Sequence, residues 1–220
     1  MLKKPKAPPR KAPRQARSTS TVDAILTATG QLLLKTGYDR MTTNAVAEVA
    51  GVSIGTLYQY FPDKAALAAG LFDRDIREKL VALQGAVDRF HGAPLEDLVR
   101  AMVWGLARRN PVGDPLRRAL IALQVRFAAM GQLEDAATPF LQLVRDVLVA
   151  RRAEIRAQDP ELLAYMVVHT MEALLHALVL QPPGSRAMEE VVEELTMMMM
   201  GYLLPAAAVA RPRAAAVAAG

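Results

Sequence analysis

Residues 51–64, GVSIGTLYQYFPDK, gather Tyr58, Gln59, Tyr60 and Lys64 a few positions after Gly55 and Thr56. Phenol hydroxyls and an ammonium group donate to phosphate oxygens, and a carboxamide can pair with the exposed edge of adenine. A long helix starting near Lys64 adds N–H groups that attract anions. Leu57 and Phe61 are four residues apart, the spacing at which helical side chains meet, so together with Val52 they are expected to face inward. Ile54, Gly55, Thr56, Tyr58, Gln59 and Tyr60 are then left outside. The chemistry on offer is recognition of a polyanion, with ordinary surface residues as the plain alternative.

Other reactive constellations are sparse. The chain has no cysteine, which excludes disulfides, thiolate catalysis and Cys-based zinc sites and is compatible with a reducing compartment. His169, Glu172 and His176 can share a helix face but would need further ligands to hold a metal, and a buried or interfacial histidine is the simpler expectation. The run MMMM at 197–200 points to four sides of a helix, so it cannot converge on one ion and suits core or interface filling. Residues 90–200 hold no GxSxG, phosphate loop or paired-ligand motif. No enzyme activity, cofactor or metal is expected.

The net charge of +5 is unevenly placed. Lys3, Lys4, Lys6, Arg10, Lys11, Arg14 and Arg17 form an acid-free arm, and of 27 basic residues the other 20 face 22 acidic ones. A basic arm on a slightly acidic body implies a polyanionic partner, nucleic acid before anionic membrane. Pro5, Pro8, Pro9 and Pro13 oppose the amphipathic helix of a transit peptide. The longest uncharged run, Leu195 to Ala210, has 16 residues and contains Pro205, short of the roughly 20 a bilayer requires, so no membrane span is expected.

An all-α chain must position these groups, since Ala, Leu and Met are abundant and aromatics make up only 5%. The arm, residues 1–17, is too polar to order by itself. Ser20 can cap a first helix with Asp23 three residues on, and Val22, Ile25, Leu26, Thr29, Leu32 and Leu33 share one face. Lys35 and Gly37 end it. Thr42-Thr43 open a second helix to Ala50 with Val46, Ala47 and Val49 as apolar positions, and Gly51 supplies the turn. Small Ala47 lets the next helix cross closely. Ser53 caps that third helix to about Tyr60, and Pro62-Asp63 reset the chain for a long fourth. Residues 18–64 thus describe a helix-turn-helix unit. Its charges are Lys35, Arg40 and Lys64 against Asp23, Asp39, Glu48 and Asp63. The arm, with Arg14 and Arg17 nearest the unit, is expected to supply much of the phosphate neutralisation along the minor groove, so deleting residues 2–16 should flatten the salt dependence.

Residues 17–67 resemble the DNA-binding domain of the tetracycline-repressor family. The run ILTATGQLLLKTGYDRMTTNAVAEVAGVSIGTLYQYFPDKAAL carries the resemblance, with Gly37-Tyr38, Thr42-Thr43, Ala50-Gly51-Val52-Ser53, Gly55-Thr56-Leu57-Tyr58, Tyr60-Phe61 and Lys64 in register. Thr29, where the family usually has alanine, and Gly30 depart from the pattern. The resemblance implies a third helix in the major groove, with Thr43 and Asn44 making flanking contacts. Tyr58, Tyr60 and Lys64 would hold phosphates, and Ser53, Ile54, Gly55, Thr56 and Gln59 would sit at the groove, the last four meeting base edges.

Residues 65–204 read as helical, with breaks at Gly92–Pro94, Asn110–Pro115, Gly131–Pro139, Asp159-Pro160 and Gln181–Gly184, and residues 205–220 form a low-complexity tail. The resemblance implies a ligand-binding and dimerisation domain here. Met102, Trp104, Leu106, Phe127, Met130, Phe140 and Tyr165 are candidates to line a pocket for an apolar or amphipathic small-molecule effector, plain core being the alternative for each. The last two helices are apolar enough to form a dimer interface through Met166, Met171, Leu174, His176, Leu178, Met188, Val191, Val192, Leu195, Met198, Met199 and Tyr202. The expected whole is a cytoplasmic, nucleoid-associated homodimer on a palindromic double-stranded DNA operator. It would most often repress and would be released by its effector. An enzyme with an accessory DNA-binding domain and a non-specific polyanion binder are the competing readings.

Overall fold

The computed structural model describes residues 14–111, 113–129, 137–181, 184 and 187–205. Nine helices and no strand occur among them. The chain separates into two compact units, one ending at Asp73 and the other starting at Arg74.

The first unit holds α1 (Arg14–Arg40), α2 (Thr43–Ala50), α3 (Ile54–Tyr60) and the beginning of α4 (Lys64–Arg89). Helix α1 starts before Ser20, which therefore lies inside the helix and does not cap it. Gln15, Ala16 and Arg17 are good helix formers that carry the first turn back. The predicted face is otherwise as expected: Ile25, Leu26, Thr29, Leu32 and Leu33 are buried. The Thr29 hydroxyl donates to the Ile25 carbonyl at 2.7 Å, so a polar group in the core is satisfied within the helix. Gly37, at φ 74°, breaks α1 near its end in a conformation that glycine takes without strain. Val49 is exposed, leaving Val46 and Ala47 as the buried face of α2.

The second unit holds the rest of α4 with α5 (Leu95–Arg109), α6 (Pro115–Ala129), α7 (Thr138–Ala150), α8 (Pro160–Leu180) and α9 (Met188–Leu203). Its breaks fall at the Pro and Gly clusters, with one addition. Helix α7 stops at Ala150 although RRAEIRAQ contains no breaker. There the Arg151 guanidinium donates to the carbonyls of Phe90 and His91, Ile155 is buried, and the Arg156 N–H donates to the Leu203 carbonyl at 2.9 Å. Tertiary contacts override local propensity.

Two apolar clusters build this unit. One joins Leu95, Val144, Leu148, Ile155, Leu163, Val168, Met200 and Leu203, and the other joins Val103, Ala107, Met171, Leu175, Val192, Leu195 and Met199. Arg100 of α5 locks onto α9 beside them, donating to both Glu193 oxygens at 2.8 and 3.0 Å. Helix α8, with 21 residues, is long and apolar enough to cross a membrane by length and composition alone, a test that a core helix also passes. Its buried side is accounted for by the two clusters, to which Leu163, Val168, Met171 and Leu175 belong.

Candidate nucleic-acid interface

The turn between α2 and α3 is set by three side-chain and backbone devices. The Thr42 hydroxyl accepts from the Ala45 N–H at 3.2 Å and starts α2. Gly51, at φ 68° and ψ 30°, closes it, and the Val52 N–H returns to the Ala47 carbonyl at 3.0 Å. The Ser53 hydroxyl then accepts from the Thr56 N–H at 3.0 Å and starts α3. Leu57 and Phe61 are buried with Val46 and Ala47, which fixes the rotation of α3 about its axis.

That rotation presents an outward face. Asn44, Ser53, Ile54, Gly55, Tyr58 and Gln59 are exposed, and Thr43, Thr56 and Tyr60 are half-buried. Four of the hydroxyls on this face are paired with one another. Thr43 Oγ1 and Tyr58 Oη are 3.1 Å apart, and Ser53 Oγ and Thr56 Oγ1 are 2.8 Å apart. Asn44 and Gln59 have no such partner among the described residues. Their carboxamides are therefore the groups ready to meet a base edge, while half-exposed Ile54 offers an apolar surface of the kind that meets a thymine methyl.

Two expected phosphate groups are otherwise engaged. Lys64 Nζ donates to the carbonyls of Tyr38 and Asp39 at 3.1 and 3.2 Å and lies 4.5 Å from the centre of the Tyr38 ring. A cation at the C-terminal end of α1 is held there by the carbonyl dipoles and the ring face. Lys64 thus clamps the start of α4 to the end of α1, and a third N–H remains for an external acceptor. The N-terminus of α4 is not open either, because the Asp63 carboxylate accepts from the Ala66 N–H at 2.7 Å. Of the arm, Arg14 and Arg17 lie in the first turn of α1, with side chains outside the described part, as is all of 1–13.

In the second unit the expected pocket residues do not share one wall. Met102 and Phe140 pack on the cluster that joins α5, α7, α8 and α9, whereas Trp104 and Leu106 pack on the one that joins α5, α8 and α9. Phe127 is buried, and Met130 lies outside the described residues. Tyr165 is 54% exposed and is not part of an interior lining. The reason is its register: Leu163, Ala164 and Val168 take the inward face of α8 and turn Tyr165 outward.

The expected interface divides in the same way. Met171, Val192, Leu195 and Met199 belong to the core of their own chain and are not available to a partner. Leu174, His176, Leu178, Met188, Val191 and Tyr202 are half-buried, while Met166 and Met198 are exposed. Leu162, Tyr165, Leu180 and Met197 join them as exposed apolar side chains that composition alone did not select. The MMMM run splits two and two, Met197 and Met198 outward and Met199 and Met200 inward.

Residues 25–71 match the bacterial regulatory proteins of the tetR family, and residues 94–203 match the tetracyclin repressor-like C-terminal domain. The chain is 38% identical over 120 residues to the HTH-type transcriptional repressor KstR of Mycolicibacterium smegmatis, a match covering 51% of this chain and 58% of that one. It is 25% identical to an HTH-type transcriptional regulator from the lacX 3′ region of Lactococcus lactis, over 83% of this chain and 90% of the other. The solved structure of SmeT, repressor of a Stenotrophomonas maltophilia multidrug efflux pump, superposes with a TM-score of 0.66 at 20% identity, covering 89% of this chain and 98% of that one. Together with the capped α2–turn–α3 geometry, these matches place the chain in the tetracycline-repressor family of regulators.

Proposed function

We propose that this chain is a sequence-specific DNA-binding transcriptional regulator, acting as a repressor that binds a palindromic operator as a homodimer. The observation that carries the reading is the outward face of α2 and α3. Four of its hydroxyls are tied in two pairs, one of which links α2 to α3, while Asn44 and Gln59 are left free to read bases. The first unit is the DNA-binding domain, and the arm supplies the cations that the near-neutral helices lack.

Two copies would pair through the outward apolar face of α8 and α9, with Leu162, Tyr165, Met166, Met197 and Met198 at its centre. Two-fold pairing brings two α3 helices to half-sites about one DNA turn, roughly 34–36 Å, apart. A small amphipathic effector bound by the second unit would release the operator by favouring a conformation in which the half-site spacing is lost. The role is regulatory rather than catalytic, and its place is the cytoplasm.

Substitution of the free carboxamides tests this reading. Asn44→Ala and Gln59→Ala should each weaken binding to a selected operator about tenfold, within the range of roughly 1–3 kcal/mol for a good base contact, and leave binding to random duplex unchanged. Equal losses on both duplexes would mean that the face only grips phosphate, and the regulator reading would fail.

A further inference from the structure

The chain has 11 methionines and no cysteine, so all of its sulfur is thioether. Thioethers take up an oxygen atom from hydroperoxides, and exposure selects which of them react. With no thiol to compete, the exposed methionines are where such an oxidant acts. Among the described residues these are Met166, Met197 and Met198, which are 42%, 51% and 43% exposed. Met41, Met171, Met199 and Met200 are buried, and Met102 and Met188 are half-buried.

The three exposed thioethers stand at one level of the α8–α9 pair. Leu163 and Val168 of α8 share an apolar cluster with Met200 and Leu203 of α9, and Met171 shares the other with Leu195 and Met199. The two helices therefore run antiparallel along a common inward side. Met166 falls between Leu163 and Val168 in sequence, and Met197 and Met198 come directly before Met199 and Met200. Their inward neighbours fill the core, and these three are turned away from it. With exposed Leu162 and Tyr165 they give the second unit an apolar surface that carries every exposed sulfur among the described residues. Methionine suits such a surface because its flexible side chain adapts to what it meets.

We propose that Met166, Met197 and Met198 form an oxidation site through which hydroperoxides control the pairing of two copies of this chain. With hydrogen peroxide, a sulfur lone pair attacks one peroxide oxygen, so that an S–O bond forms as the O–O bond breaks. The sulfur is oxidised by two electrons to the sulfoxide, and the other oxygen leaves with both protons as water. Each sulfoxide places a strong acceptor on a surface that pairing would strip of water, where a polar group without a partner is unfavourable. Oxidised chains stay apart, and an operator that needs two α3 helices is released. The site rests on the pairing proposed above and names its regulation. Separated chains expose the three sulfurs and paired chains cover them, so pairing also protects against the oxidant.

The experiment treats the full chain with hydrogen peroxide, locates the added oxygen by peptide mass spectrometry and follows pairing by sedimentation. Met166, Met197 and Met198 should gain oxygen before Met41, Met171, Met199 and Met200. They should do so more slowly as the chain concentration rises through the range in which copies pair. The oxidised chain should pair at least about tenfold more weakly, and the two stereospecific sulfoxide reductases should restore it. A triple variant, Met166→Leu with Met197→Leu and Met198→Leu, keeps the surface apolar and should pair whether or not peroxide is present. Should that variant fail to pair, restoration by the reductases decides. Four results overturn the site: oxidation that does not favour the three, a rate independent of chain concentration, pairing unmoved by oxygen on the three sulfurs, or a triple variant as sensitive as the unaltered chain. A chain that is single before any peroxide is added fails the pairing reading and takes the site with it, whereas a pair that sulfoxides do not loosen fails the oxidation site alone.

Discussion

The Tyr58 hydroxyl lies 3.1 Å from Thr43 Oγ1, so the exposed faces of α3 and α2 are tied by a single hydrogen bond. Tyr58 itself is 50% exposed, which leaves its ring free while its hydroxyl positions the helix pair. A bond in this setting contributes modestly, about 0.5–1.5 kcal/mol. Tyr58→Phe and Thr43→Val should therefore each lower stability slightly and operator affinity more clearly. In a double-mutant cycle the two should be non-additive by about 0.5 kcal/mol or more. Strict additivity would mean that the bond does not hold the two helices.

Gly70 is the point of closest approach inside the first unit. A Cβ there would stand 2.8 Å from Phe61 Cε1 and 2.9 Å from Leu26 Cδ2, and both of those side chains are buried. Alanine gains about 1 kcal/mol of helix propensity, but overpacking of a filled core costs about 1–3 kcal/mol. Gly70→Ala should lower the melting temperature, whereas Gly85→Ala in the same helix, where nothing lies within 4 Å, should raise it. Chemical and thermal unfolding of both variants decides this, and a stabilised Gly70→Ala would refute the packing argument.

Lys64 and the arm should separate in a salt titration. Each phosphate neutralised adds roughly 0.9 to the slope of log affinity against log salt. Deleting residues 2–13, which leaves α1 intact, should flatten that slope by several units. Lys64→Gln should lower the melting temperature by releasing the Tyr38 and Asp39 carbonyls, while changing the slope by less than one unit per subunit. An unchanged slope in the truncated protein would remove the arm from the account.

His176 makes stability depend on mild acid. Burial is the largest cause that holds it below its ordinary 6.5, Lys79 acts in the same direction, and Glu172 and Asp75 oppose it. The unfolded chain then binds the proton more readily than the folded one. Stability should fall as pH drops below 6.5 and level off once the lower folded value is passed. His176→Gln should flatten that part of the melting-temperature profile, and an identical slope in the variant would contradict the assignment.

Much of the first unit was legible because local signals there agree with the packing. Thr42 and Ser53 are capping residues with one role each, Gly37 and Gly51 adopt positive φ, and the four-residue spacing of Leu57 and Phe61 predicts their burial. Lys64 was legible as a cation at a helix start, but not as a clamp, because its partners are the carbonyls of Tyr38 and Asp39, distant in sequence. In the second unit helix breaks were readable from Pro and Gly, whereas the face of each helix was not. Helix α8 is apolar on both sides, so periodicity alone cannot separate inward Met171 from outward Met166 and Tyr165. The Arg117–Asp75 pair, which joins α6 to α4, escaped notice because Arg117 is 42 residues from Asp75 and reads, in the sequence, as one more surface cation.

Selection of bound duplexes from a random library by the full chain tests the central claim most directly. The bound duplexes should converge on a palindrome whose two half-sites lie about one helical turn apart, roughly 10–10.5 base pairs centre to centre or a multiple of it. Within each half-site an adenine should be enriched, and cytosine should replace it when Gln59→Glu is used, because a carboxylate accepts from the cytosine amino group. Enrichment of no sequence over random duplex would mean that the chain is not a sequence-specific regulator.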